Sequence, residues 1–342
     1  MKQLLNQLFE HQNLDRESAK EALLQIGKGD FNEAEIASFL TVFRMRAISV
    51  EEIRGFQDAL LELCLPFDLQ GRTAIDIVGT GGDNKNTFNI STLSAFVVAG
   101  AGYLVCKHGN YGVSSSCGSS DVLEKLGYRF SNASDTLHRQ LDKAGICFLH
   151  APHFHPAMKR VASIRKQLGV KTFFNMLGPL VNPAQPRYQL FGVYSPELAR
   201  LYQYVLQANE KEFGVVYALD GYDEVSLTGL FQFRTNVGEV LLEPKDLGME
   251  SIQADQLHGG SSVEEAASIF RNILENKGTP AQESVVIANA GLAIHSMDLS
   301  KSYADCLEEA RESLRSGKAL GVLEGLVELC SSSAVMHVDI RR

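Results

Sequence analysis

From residue 74 onward the chain repeats one unit, a short and largely apolar β-rich run followed by a helical one. Strand candidates fall at 74–78, 103–106, 146–150, 189–193 and 213–219, and helix candidates at 91–101, 120–126, 155–168 and 196–208. Strands that are apolar on both faces and separated by helices imply a parallel sheet covered on both sides. A more polar stretch near 231–242 reads as a hairpin or edge strands, and 262–276, 282–297 and 301–328 read as helices. Ahead of this the pattern is helical only. Apolar residues recur at Leu4, Leu5, Leu8 and Phe9, at Ala19, Ala22, Leu23 and Ile26, and at Ile36, Phe39, Leu40 and Phe43. Ser49 to Glu52 form a capping box. No strand pattern precedes Gly71, which places a domain boundary near residue 70.

A length of 342 residues suits two domains. The formal charge of −9 argues against nucleic-acid binding by bulk electrostatics. Six scattered cysteines without a C-x-x-C pair exclude an obvious zinc site and suit a reducing compartment with mostly buried thiols. The N-terminal segment does not read as a signal peptide, and the longest apolar stretch, 93–105, is too short and too glycine-broken to span a membrane. The expectation is a cytoplasmic protein with no membrane and no nucleic-acid partner.

Four stretches carry chemistry. The loop after the first strand, GTGGDNKNTFNIST (79–92), matches neither the Walker pattern nor G-x-G-x-x-G. Gly79, Gly81 and Gly82 permit close backbone approach, so amide N–H groups can face an anion. Asn89, Ser91 and Thr92 open a helix, whose N-terminus attracts phosphate. The plain alternative is a strand–turn–helix link capped by Ser91. In KHGNYGVSSSCGSSD (107–121), Lys107 and His108 stand at the expected end of the second strand, followed by Asn110 and a hydroxyl-rich glycine loop. That suits a second phosphate or a shared diphosphate; a solvated serine loop is the alternative. In GYDEVSLTG (221–229), adjacent Asp223 and Glu224 follow a strand, where they could ligate Mg²⁺ or simply sit in a turn. In the stretch 150–187, Arg165 could present its planar guanidinium to a carboxylate, or be solvated like Lys159, Arg160 and Lys166. His150, His153 and His155 fit no standard zinc spacing. NMLGPLVNPAQP (175–186) reads as a rigid, non-helical connection.

Taken in order, GTGGD…TFNIST, KHGN…SS..GS.DVLE.LG, HPAMK.V..IR..LG..T.FN.LGPL.NPA and G.DE.S resemble the anthranilate phosphoribosyltransferases of tryptophan biosynthesis, over nearly the whole chain. The resemblance implies transfer of a phosphoribosyl group from 5-phosphoribosyl-1-diphosphate to the amine of anthranilate. Position by position, it implies donor contacts at Gly79, Gly82, Asp83, Thr87, Asn89, Ile90, Ser91, Thr92, Lys107, Ser115 and Ser119. It implies anthranilate contacts at Gly79, Asn110 and Arg165, and two Mg²⁺ ions per subunit held through Ser91, Asp223 and Glu224. Lys107, His108 and Arg165 become the catalytic candidates. The implied fold is α/β: a small all-helical domain, 1–70 plus about 165–189, packed on a larger domain, 71–164 and 190–342, with a mostly parallel sheet flanked by helices. A homodimer is implied as well. Two positions depart from the family pattern: Asn84 stands where Gly is usual, and Tyr111 where Arg is usual. The rival readings are a pyrimidine nucleoside phosphorylase, which has no need of the Asp223–Glu224 pair, and a non-catalytic nucleic-acid-binding relative, which the negative charge disfavours.

Overall fold

The structure, a computed structural model, describes residues 1–112, 117–209 and 211–339. It divides into two compact units, one of 1–67 with 151–185 and one of 68–150 with 186–342.

The larger unit holds a seven-stranded sheet. Its strands are β1 (Ala74–Gly79), β2 (Leu104–Gly109), β3 (Ile146–His150), β4 (Tyr188–Gly192), β5 (Glu212–Ala218), β6 (Phe231–Thr235) and β7 (Gly238–Leu242). The order is β3-β2-β1-β4-β5-β6-β7. β1 to β5 pair in parallel, and β6 and β7 add an antiparallel hairpin at one edge. The inner strands are apolar throughout because helices cover them. Ile75, Ile77, Val105, Ile146 and Phe148 share one core with Phe96 of helix Ile90–Gly100 and Val286 of helix Pro280–Met297. That second helix is apolar nearly all round, as a helix sunk in a core must be.

The smaller unit is helical. Its chain leaves after Phe67 and returns at Ala151, ahead of the 165 that the family resemblance implied. The return starts there because Leu65 N–H donates to Phe154 O at 2.8 Å and Phe67 N–H donates to Pro183 O at 3.3 Å. The Gln57 amide donates to Leu180 O at 2.8 Å. Phe39, Phe43, Phe56 and Phe173 form a cluster of mutually edge-on and stacked rings at its centre.

Three local expectations change. β2 runs on through Lys107, His108 and Gly109, since pairing with β3 continues opposite Phe148, Leu149 and His150. The helix expected over 155–168 is a 3₁₀ turn, Pro156–Met158, and then helix Lys159–Leu168. The 175–186 stretch contains helix Phe174–Leu177 and a 3₁₀ turn, Gly178–Val181. Helix Ser134–Ala144, whose buried apolar side is only Leu137, Leu141 and Ala144, has no counterpart among the elements expected from sequence. All six cysteines are free thiols, and all but Cys330 are buried. Among the described residues no helix is long and apolar enough to cross a membrane.

Candidate active site

In an open α/β sheet, ligands bind beyond the carboxyl ends of the strands where the order reverses. Here the reversal lies between β1 and β4. Those two strands end side by side on glycines, Gly79 paired with Gly192. Over this pair passes the segment after β5 that carries Asp223 and Glu224. A Cβ on Gly192 would overlap the Asp223 backbone, and one on Gly79 would stand 2.5 Å from Asp223 Oδ2. The glycines are therefore what lets the acidic segment lie against the strand ends. From the far side Asn289, buried in helix Pro280–Met297, grips the same segment. Its Oδ1 accepts from Val225 N–H at 3.0 Å and its Nδ2 donates to Val225 O at 2.9 Å. Sequence reading missed Asn289; the signal available was one amide within the apolar run VVIANAGLAI.

The two carboxylates reach back to the glycine-rich loop. Asp223 Oδ2 accepts from Gly81 N–H at 2.6 Å, and Glu224 Oε1 accepts from Ser91 N–H at 2.9 Å in the first turn of helix Ile90–Gly100. Desolvation, followed by the nearby charge of Asp83, pushes the Asp223 carboxyl up to about 7. Desolvation and the neighbouring Asp223 push Glu224 well above the usual carboxylate range. Buried Oε2 of Glu224 and Oδ2 of Asp83 accept no hydrogen bond among the described residues. The crevice is lined by Gly79, Ser91, Gly192, Asp223, Glu224 and Asn289, with apolar strand residues behind them.

The lining itself carries no positive charge; Lys107, buried in β2, acts on Glu224, but desolvation works against its own charged form. Hard oxygen donors with an orphaned, buried acceptor fit Mg²⁺, which takes one or two carboxylates and completes its shell from substrate phosphates and water. Among the described residues no three His, Cys, Asp or Glu side chains gather closely enough to hold a metal ion.

The other residues singled out from sequence sit as follows. Gly82 has φ +85°. Asn84, in place of the usual glycine, takes φ +61°, the left-handed geometry that Asn tolerates better than most residues. Asp83 Oδ1 accepts from Lys85 N–H at 3.1 Å. Thr87 pairs across to His258. Asn89 donates to Cys117 O at 3.2 Å and so ties the first loop to the second. Ile90 and Thr92 are buried in the helix start. Asn110 and Ser119 stay together, the Ser119 hydroxyl donating to Asn110 O at 3.2 Å. Ser115 lies outside the described residues.

Lys107 and His108 lie near the carboxyl end of β2, inside the strand. Both are buried within β2. The Lys107 ammonium donates to Ile77 O on β1. Desolvation lowers its pKa, while the charges of Asp76 and Glu224 oppose that. His108 N–H donates to Asp76 Oδ1 at 3.2 Å. Tyr111 bonds Glu124 at 2.9 Å and packs edge-on against His150 at 4.8 Å. His150 in turn pairs with the Ser120 hydroxyl at 2.9 Å.

Arg165 belongs to the helical unit. Its guanidinium donates to Asn175 Oδ1 at 3.1 Å and lies 5.4 Å from the centre of the Phe174 ring. Burial lowers its pKa, and among the described residues no carboxylate pairs with it. His155, also in this unit, is buried, which pulls its imidazole down to about 4.

Comparison with known proteins covers nearly the whole chain. Residues 2–64 match the profile of the glycosyl transferase family, helical bundle domain, and residues 71–320 that of the glycosyl transferase family, a/b domain. The anthranilate phosphoribosyltransferase of Cytophaga hutchinsonii is 57% identical, over 93% of this chain and 97% of its own length. The crystal structure of the Thermus thermophilus enzyme superposes with a TM-score of 0.89 at 33% identity, covering 96% of this chain and 99% of that one. The Saccharomyces cerevisiae enzyme in complex with PRPP and Mg superposes with a TM-score of 0.88 at 31% identity, covering 96% and 97%. With whole-length likeness in sequence and fold, the chain belongs to the anthranilate phosphoribosyltransferase family.

Proposed function

We propose that this protein transfers the phosphoribosyl group of 5-phosphoribosyl-1-diphosphate to the amine of anthranilate, releasing diphosphate, in tryptophan biosynthesis. The observation that carries the reading is the under-neutralised Asp223–Glu224 pair over the Gly79–Gly192 crevice. A diphosphate arriving with a divalent cation meets that need; a nucleoside with free phosphate does not require it.

In the reaction the bond from ribosyl C1 to the diphosphate oxygen breaks, and C1 bonds to the amine nitrogen, which gives up a proton. Positive charge builds on the ring as the leaving group departs, so the protein's task is placement and electrostatics. Asp223, Glu224 and the Ser91 hydroxyl would hold Mg²⁺, which when bound would supply positive charge against the diphosphate. Gly79 and Gly82 let the backbone close on the donor, and Asp83, Thr87, Asn89, Ile90, Ser91, Thr92, Ser115 and Ser119 form the remainder of its site. Lys107, buried beside the acidic pair, keeps Glu224 closer to ionisation. Arg165 pairs with the anthranilate carboxylate, and Asn110 and Gly79 meet the ring. His108 orients the acceptor, whose neutral aromatic amine needs no strong base.

Purified protein with Mg²⁺ and the donor should consume anthranilate, seen as loss of its fluorescence. Failure to do so, together with phosphorolysis of thymidine or uridine, selects the phosphorylase reading instead. A homodimer in the cytoplasm with two Mg²⁺ ions per subunit completes the proposal. Sedimentation and titration calorimetry test its stoichiometries.

A further inference from the structure

The far end of the glycine-rich loop is held by a segment to which the proposed chemistry gives no role. Residues 257–260 run antiparallel beside 86–88. Phe88 N–H donates to Leu257 O at 3.0 Å and Gly259 N–H donates to Asn86 O at 2.9 Å, with Thr87 and His258 opposed between them. In such a pair the two side chains stand close together on one face. Asn86 adds its amide, donating to Gly260 O at 3.1 Å and lying 3.2 Å from His258 Nε2. His258 Nδ1 accepts from Gly260 N–H at 3.1 Å, which folds the ring back on its own segment.

The fit is tight. A Cβ on Gly259 would overlap Thr87 O and stand 2.8 Å from Phe88 N, both backbone atoms. Behind the contact the segment is anchored. Ser261 donates through N–H and hydroxyl to Glu265 Oε2 at 2.7 and 2.8 Å. Ser262 caps helix Val263–Leu274, whose Ala266, Phe270 and Ile273 are buried in the core. The core helix, the segment and Thr87 thus form one mechanical line.

We propose that His258 and Gly259 are positioning residues for the sugar donor. Their segment straps Thr87 and Phe88, and through them sets the entry to helix Ile90–Gly100, so loosening it weakens donor binding and spares the acceptor. The proposal rests on the reading of residues 79–92 as the donor site.

The test uses full-length Gly259→Ala and His258→Ala, with steady-state kinetics in both substrates and hydrogen exchange of the peptide spanning 84–90. Gly259→Ala should raise KM for phosphoribosyl diphosphate about tenfold or more, within the roughly 10²-fold that a misplacement of about 1 Å can cost. His258→Ala, which removes side-chain contacts only, should raise it about threefold. KM for anthranilate should stay at the wild-type value, and the 84–90 peptide should exchange faster. His258→Asn, which keeps an acceptor for Gly260 N–H, should recover most of the loss. Folded variants with wild-type donor KM, or equal rises for both substrates, overturn the proposal. If Gly259→Ala does not fold, His258→Ala decides by the same criteria. A wild-type protein that turns over no anthranilate refutes the assigned reaction rather than the strap, and unchanged exchange in the variants then refutes the strap itself.

Discussion

Two buried carboxylate sites in this molecule have opposite electrostatics. In the helical unit Glu52 is fully buried and fully answered. It accepts from Leu14 N–H at 3.0 Å, from Ser49 N–H at 2.8 Å and from both terminal nitrogens of Arg46. Desolvation pushes its carboxyl up, but Arg46 and the two backbone donors outweigh that and hold it below the usual range. In the α/β unit Asp223 and Glu224 face one another and Asp83, and their carboxyls rise. A carboxylate that brings its own counter-charge stabilises a fold. A pair that lacks one is set for an incoming cation, and stability is forgone until it arrives.

The contrast breaks most visibly at Glu52. Removing one partner of a buried pair costs about 3–5 kcal/mol, so Glu52→Ala should lower the unfolding free energy by that much in a denaturant titration. A loss under about 1 kcal/mol would mark the pair as no better than a surface ion pair. Asp223→Asn with Glu224→Gln should cut kcat/KM by about 10²–10³-fold, the scale of a lost electrostatic contact in a transition state. The same double variant should melt at a higher temperature than the wild type in chelator at pH near 8. A lower melting temperature would mean that the pair is structural after all. Arg165→Ala should raise KM for anthranilate about 10–100-fold, the worth of a charged hydrogen bond of about 1.5–3 kcal/mol, and leave the donor KM alone. Equal rises would make Arg165 a helix cation and no more.

The smallest effect is on pH. Asp223 keeps its proton up to about 7 when folded and releases it near the ordinary 3.8 when unfolded. The folded state thus holds more protons between those values, and stability falls as pH rises through that window. Glu52 has the reverse sign, with stability present above the ordinary range and lost as pH falls through its lowered value. Metal-free protein should therefore lose a few degrees of melting temperature between about pH 5 and 8, and Mg²⁺ should restore them. A flat profile in the absence of metal would remove the charge-deficit argument.

Most of the fold was legible because strand and helix periods are local properties. The five parallel strands lie within a few residues of their apolar runs. Only the length of the second strand was underestimated: a cation and an imidazole carry no strand signal, and pairing with β3 shows that the strand continues through Lys107 and His108 to Gly109. At the site, Gly79, Ser91, Asp223 and Glu224 do converge. What sequence cannot carry is long-range fit. Asn289 grips Val225, and Gly259 abuts Thr87, across intervals of chain in which nothing marks the partner. The charge-deficient state of the acidic pair is likewise a product of burial, which spacing does not reveal.

The glycines that end β1 and β4 have a consequence for redesign. They act as a shim of zero thickness, setting how far the acidic segment stands above the sheet. At Gly79 an added methyl meets the Asp223 side-chain oxygen, so Gly79→Ala offers a graded way to tilt that carboxylate. At Gly192 the same methyl meets backbone. A library that varies both positions should recover variants at the first and almost none at the second, however mild the selection.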